Sequence, residues 1–265
     1  LGIITAAVLK LFPAPRSLEA AWVAVPSPEA ALELLQRAQE RAGPAVTGVE
    51  LMPQTLLGFV LKHMAGARDP LSAPSPWHVL LELSSASATG LRDTLEEVLA
   101  AGYEDGLVTD ATIAETVEHR NAFWRLREGM SEVQKLEGGS IKHDVSVPVA
   151  AVPSFLAEAD AAVMQMVPGA RIVGFGQLGD GNIHYNVSQP VGADKAAFLA
   201  RWDDVNALVH GVVAKHGGSI SAEHGIGRMK RDLLPGVKDP VELSLMRQMK
   251  AVLDPKGILN PGKVL

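Results

Sequence analysis

The chain has 265 residues, 47% of them hydrophobic, with 24 basic and 30 acidic side chains, a net charge of −6 and no cysteine. The acidic balance argues against nucleic-acid binding through a broad basic surface, and no apolar run of about 20 residues predicts a membrane span. Disulfides, thiolate metal sites and cysteine nucleophiles are excluded, and a reducing, cytoplasmic setting is the expectation.

The opening stretch "LGIITAAVLKLFP" lacks a basic region ahead of its apolar run and does not read as a signal peptide. It reads as a β-like run without an initiator Met, so the chain is expected to be part of something longer. "AWVAV" at 21–25 predicts a strand. Ser27-Pro28-Glu29 then supplies an N-cap, a first-turn proline and an early acid, so a helix should run to about Arg41. "AVTGVELM" predicts a second strand, "QTLLGFVLKHM" a helix, "WHVLLELSS" a third strand and "LRDTLEEVLAAG" a helix. One long helix is expected from about Ala111 to Leu136, followed by the strand "SIKHDVSVPV" and the helix "VPSFLAEADAAVMQMV".

"RIVGFG" and "NIHYNVS" predict strands on either side of a glycine-rich loop. A single helix is expected from Lys195 to about Lys215, with Phe198, Trp202, Val205, Val209 and Val212 along one stripe. Asp239-Pro240 starts a last helix with Val241, Leu245, Met249 and Leu253 turned inward, and "DPKGILNPGKVL" carries two turn signals. There is no GxGxxG after a strand and no barrel-like regularity. Strand–helix–strand order occurring roughly twice predicts an α+β fold. The expected architecture is an antiparallel sheet with helices packed on one face, ferredoxin-like and duplicated, with a C-terminal helical segment.

Three stretches concentrate reactive side chains. In "GFGQLGDGNIHYNV" the glycines at 174, 176, 179 and 181 serve either a tight hairpin or close approach of a ligand. On the strand that follows, His184 and Asn186 are two apart and share a face, opposite Ile183, Tyr185 and Val187. In "GGSISAEHGIGRMKRD" the adjacent Glu223 and His224 offer a carboxylate and an imidazole in one turn, or an incidental polar surface loop. In "FWRLREGMSEVQKLEGGSIKHD" Arg127 and Ser131 share a helix face, while Lys142 and Asp144 share a face of the next strand. That pattern reads as an ordinary charged surface or as a fork and a point charge clamping a small dicarboxylate. His63, His78, His119, His143, His210 and His216 stand without convergent partners and read as core or surface residues, as Met246 and Met249 read as packing.

Taken together, "GFGQLGDGNIHYNV", "SISAEHGIGRMKRDLL" and "MRQMKAVLDPKGILNPGKVL" resemble the C-terminal, substrate-binding half of FAD-linked 2-hydroxyacid dehydrogenases of the vanillyl-alcohol oxidase type. That group includes D-lactate, glycolate and D-2-hydroxyglutarate dehydrogenases; "SAEHG" and "GNIHYNVSQP" look most like the last. The resemblance implies that residues 1–12 are the last strand of an FAD-binding domain that would otherwise precede the chain. Residues 13–225 would form the substrate-binding domain, and 226–265 a helical segment packing toward the flavin side. It implies His224 as the catalytic base and Arg127, Ser131, Lys142 and Asn186 as substrate contacts. His184 and Glu223 match metal ligands, and Asn260 a position near the flavin. Seven residues before His184, where the family usually has His, this chain has Gln177. Gln177 is a neutral, weaker donor for zinc, so the expectation is zinc held less tightly, a harder ion such as manganese or magnesium, or a site that works without metal.

The implied reaction takes a proton from the C2 hydroxyl and a hydride from C2, and FAD receives the hydride. A small 2-hydroxyacid is then the partner, favoured as D-2-hydroxyglutarate, with D-lactate or glycolate as the alternative. The electron acceptor is left open, as is a homodimer. Readings of another class are a stand-alone metallohydrolase and a non-catalytic acid-binding module.

Overall fold

The structure is a computed structural model and describes residues 2–265. The chain divides into two compact units, Ala14–Ile220 and Leu1–Pro13 with Ser221–Leu265.

The larger unit begins with β1 (Ser17–Val25), α1 (Pro28–Ala42), β2 (Val46–Pro53), α2 (Gln54–His63), β3 (Trp77–Ser85), α3 (Leu91–Glu104) and β4 (Asp110–Ile113). Helix α4 (Val117–Val133) leads into β5 (Ser140–Ser146), α5 (Val152–Met166), β6 (Arg171–Gln177), β7 (Asn182–Ser188), α6 (Lys195–Leu199) and α7 (Trp202–Lys215). The seven strands form one sheet in the order β4-β1-β3-β2-β6-β7-β5, and every registered pair is antiparallel. Its first four strands have the ferredoxin-like order 4-1-3-2. The other three repeat that plan, with Ser219 bridging Ser146 where a fourth strand would stand. The two halves meet where β2 registers with β6, through Glu50↔Gln177 and Leu51↔Gly176.

Alternation along the strands makes two faces. Ala21, Val23, Leu51, Leu81, Ile183, Tyr185 and Val187 point into one core with the buried stripes of α1, α3, α5 and α7. That is the expected helix-backed face. The opposite face adds a second core, in which Trp22, Met52, Leu80, Val173 and Phe175 pack against α2 and α4.

Helix α1 starts as its sequence predicts, with Ser27 Oγ accepting from Ala30 N at 3.3 Å. The helix expected from Ala111 starts instead at Val117, capped by Thr116, whose Oγ1 accepts from His119 N at 3.1 Å. Asp110–Ile113 is a strand because it completes the edge beside Ala21–Ala24, a pairing that four residues of local sequence do not announce. The expected single helix of 195–215 is two. Its break is at Arg201, which leaves helical geometry and donates Nη1 to Met166 O at 2.7 Å. Its apolar stripe is present, with Phe198, Val205, Val209 and Val212 buried.

In the smaller unit, residues 2–13 form no strand, since no described strand pairs with them, and Ile4, Val8, Leu9 and Leu11 are exposed. Helices α8 (Leu234–Val237) and α9 (Pro240–Leu253) follow. The inward stripe expected of α9 is corrected: Val241, Leu245, Met249 and Leu253 are exposed and Leu243 is its buried residue. The larger unit closes at Ile220, just after Ser219, whose backbone pairs with Ser146 of β5 at 2.8 and 3.1 Å. No helix among the described residues is long and apolar enough to cross a membrane.

Candidate functional site

Toward the β5 side of the sheet, the face that holds the second core turns polar. The ladders place Glu50 opposite Gln177, Gln177 opposite Asn182, His184 between Phe175 and Asp144, and Asn186 opposite Lys142. Cross-strand partners share a face, so these side chains form one patch drawn from four strands.

Helix α4 brings Arg127 to this patch. Its Nε donates to Glu50 Oε2 at 2.7 Å, with the two side chains only 12% and 6% exposed. The guanidinium carbon lies 5.0 Å from the Phe175 ring centre, and that ring lies 5.1 Å from the His184 ring. Neither Nη of Arg127 donates to any described residue. An ion pair this buried holds because each charge offsets the other's desolvation; loss of one partner strands its mate.

His184 Nδ1 stands 3.9 Å from Asp144 Oδ1, too far for a hydrogen bond, and Asp144 is buried. Lys142 Nζ donates to the Ser131 carbonyl at 3.3 Å, which joins the two expected substrate contacts across α4 and β5. Desolvation lowers the Lys142 pKa from its ordinary value, and the nearby charge of Lys135 lowers it further. Imidazole, carboxylate and amide oxygen on one face suit a divalent cation, and the oxygen-rich set leans toward the harder ions.

Asn186 stands opposite Lys142 on the same face. It is buried, its Nδ2 donates to Gln134 Oε1 at 2.9 Å and its Oδ1 accepts from His143 N at 3.3 Å. Gln134 arrives in the turn after α4 and is itself tied to Met130 O at 2.9 Å, so the Asn186 amide is engaged by protein. The glycines of the β6–β7 hairpin also serve backbone packing. A Cβ on Gly176 (φ +151°) would lie 2.2 Å from Asn182 O, and one on Gly181 (φ +65°) 1.9 Å from Val147 O.

Glu223 and His224 belong to the smaller unit. Both are exposed on a loop where Ser221 Oγ donates to Gly225 O at 2.7 Å and Val264 N donates to Gly227 O at 2.7 Å. Asn260, exposed in its turn, takes a left-handed backbone (φ 49°), which asparagine tolerates better than most residues.

Each histidine expected to stand alone has a neighbour of its own. His63 meets Glu137 at 2.5 Å, His78 lies between Trp22 Nε1 and Gln54, and His119 meets the Phe123 ring at a tilt of 60°. His143 Nδ1 bonds Tyr185 O at 2.7 Å and meets the edge of the His210 ring, while His216 meets Glu158 at 3.0 Å. Glu50 and Phe175 escaped the sequence reading altogether, although a lone acid inside the apolar strand "VELM" was a signal.

A family model described as "FAD linked oxidases, C-terminal domain" matches residues 14–264. The D-2-hydroxyglutarate dehydrogenase, mitochondrial, of Arabidopsis thaliana is 35% identical over all of this chain and 46% of its own length. The D-2-hydroxyglutarate dehydrogenase of Stutzerimonas stutzeri (strain A1501) is also 35% identical, over all of this chain and 56% of its own length. The chain thus spans about half the length of these relatives. Among solved structures, p-cresol methylhydroxylase with substrate bound aligns with a TM-score of 0.64 over 95% of this chain and 53% of its own. Its sequence identity is 12%, so the likeness speaks to fold alone.

Proposed function

The chain belongs to the family of FAD-linked oxidase C-terminal domains, and on that premise we propose that it is the substrate-binding half of a flavin-dependent D-2-hydroxyacid dehydrogenase acting on D-2-hydroxyglutarate. The observation that carries this reading is the Arg127 guanidinium, locked by Glu50 and Phe175 with both Nη groups uncommitted, on the face that also presents Lys142. Two fixed cations suit a dicarboxylate. The named D-2-hydroxyglutarate dehydrogenases at 35% identity support the same substrate.

In this mechanism Arg127 binds one carboxylate through its open edge and Lys142 draws the other, setting C2 in place. His224 accepts the C2 hydroxyl proton as the C2–H bond breaks. The product is the 2-oxoacid. FAD, when bound, takes the hydride, which no side chain can accept. Ser131 contributes at the Lys142 end. The family resemblance assigns His184 and Glu223, with Gln177 in the usual His position, to a divalent ion that would lower the hydroxyl pKa, and Asn260 to a position near the flavin. The absence of cysteine is compatible with a cytoplasmic location.

The test uses the full-length protein with its flavin under anaerobic conditions. Rapid bleaching of the flavin by D-2-hydroxyglutarate is expected, with D-lactate far slower. Bleaching by lactate alone would overturn the substrate, and bleaching by neither would overturn the reading.

A further inference from the structure

Glu50 is a buried carboxylate to which neither the proton transfer nor the metal chemistry gives a task. Its chain neighbours Val49, Leu51 and Met52 are all buried and apolar, a setting hostile to an unpaired charge. Its single charged contact among the described residues is Arg127, 77 residues away. The geometry of that contact is informative. Glu50 takes the Nε–H, the guanidinium carbon sits over the Phe175 ring, and the Nη groups are left without protein acceptors among the described residues.

A guanidinium free to turn about its last torsions spreads its five N–H groups over many directions; one anchored at Nε keeps its outer edge in a single orientation. We propose that Glu50 is a positioning residue which, through Arg127 Nε, fixes the Arg127 fork for the substrate carboxylate. The side chain itself does not touch substrate. This rests on the function proposed above, because the carboxylate it serves is that of the 2-hydroxyacid. It also explains why an acid is kept in the central part of the sheet, since an apolar residue there would pack more cheaply but leave the arginine free.

The experiment is a double-mutant cycle on the flavin-loaded full-length protein, read by steady-state kinetics with D-2-hydroxyglutarate. Glu50→Gln should raise KM by about tenfold or more with kcat held within about threefold, the pattern of lost substrate binding. In an Arg127→Met background, where there is no fork to aim, Glu50→Gln should change KM by less than about twofold. Glu50→Asp, which keeps the charge but withdraws it by one methylene, should give an intermediate KM. It stands in for Gln in the same cycle if the Gln variant fails to fold. An unchanged KM, or equal losses in both backgrounds alongside equal falls in Tm, would overturn the inference and leave Glu50 a packing residue. A parent protein whose flavin is bleached by no 2-hydroxyacid would sink the functional reading and this inference with it. A parent that works while the cycle shows no coupling sinks the inference alone.

Discussion

On the proposed function, Lys142 is the residue on which substrate choice turns. Replacing it with Met should reduce kcat/KM for D-2-hydroxyglutarate by about 100-fold or more while D-lactate loses only a few-fold, because lactate has no second carboxylate to miss. Equal losses would remove the dicarboxylate preference. Its ammonium is the binding form, and desolvation with Lys135 lowers its pKa. As pH rises, binding should therefore fail earlier than an ordinary lysine would allow. The kcat/KM profile, which reports the free enzyme, should show this alkaline limb for D-2-hydroxyglutarate, and Lys142→Arg should move it upward.

Gln177 makes the complementary case: Gln177→His should tighten zinc binding by about tenfold or more, measured by competition with a chelator. At this scale residue type and spacing left Arg127 and Lys142 as either a charged surface or a clamp, and the family resemblance named them as substrate contacts. It could not show Glu50 as the partner of Arg127, because a contact 77 residues apart depends on which strands become neighbours.

Among the elements, the β6–β7 hairpin and the turn after α4 hold the site in place. Gly181→Ala combines a left-handed φ with an approach of 1.9 Å to the Val147 carbonyl, and should cost at least about 2 kcal/mol of stability in denaturant melts. The turn after α4 is fastened by Glu137. Lys62 Nζ at 2.6 Å, His63 at 2.5 Å and Arg171 converge on this buried carboxylate, and Arg171 Nη2 also holds the Glu137 carbonyl at 2.6 Å. These partners, Lys62 foremost, hold the Glu137 pKa at about 2. A carboxyl with a depressed folded pKa contributes stability above its ordinary value, near 4.3, and loses it as pH falls toward 2. Unfolding free energy should therefore decline by on the order of 1–2 kcal/mol through that window, the exposed Lys62 end weakening the effect. Glu137→Gln should flatten the decline.

Element types were readable where periodicity ran long, as in α1 and β7. They failed at β4, which is four residues long and owes its form to its neighbour. At α9 the helix itself was legible, but the direction of its apolar stripe was not. Thr116, the true start of α4, was overlooked although its cap is local; Thr116→Ala should cost about 1 kcal/mol.

At the scale of the molecule, repeated strand–helix–strand order was enough to expect a duplicated antiparallel sheet. The order of its seven strands was not readable, because register is fixed by pairings between segments far apart in the chain. The second core, under α2 and α4, was likewise invisible, since both helices read as ordinary amphipathic segments. The join of the two halves has a further consequence. Two registered residue pairs connect β2 to β6, and one of them is Glu50 with Gln177, so the polar patch proposed to meet the substrate takes its parts from both repeats and from the helix that links them. Neither repeat owns a site. If the chain were severed before Thr116 and its pieces made separately, ligand recognition should be absent from each and return on mixing. Binding would then serve as a readout for reunion of the two pieces, much as enzyme fragments are made to report a meeting between proteins fused to them.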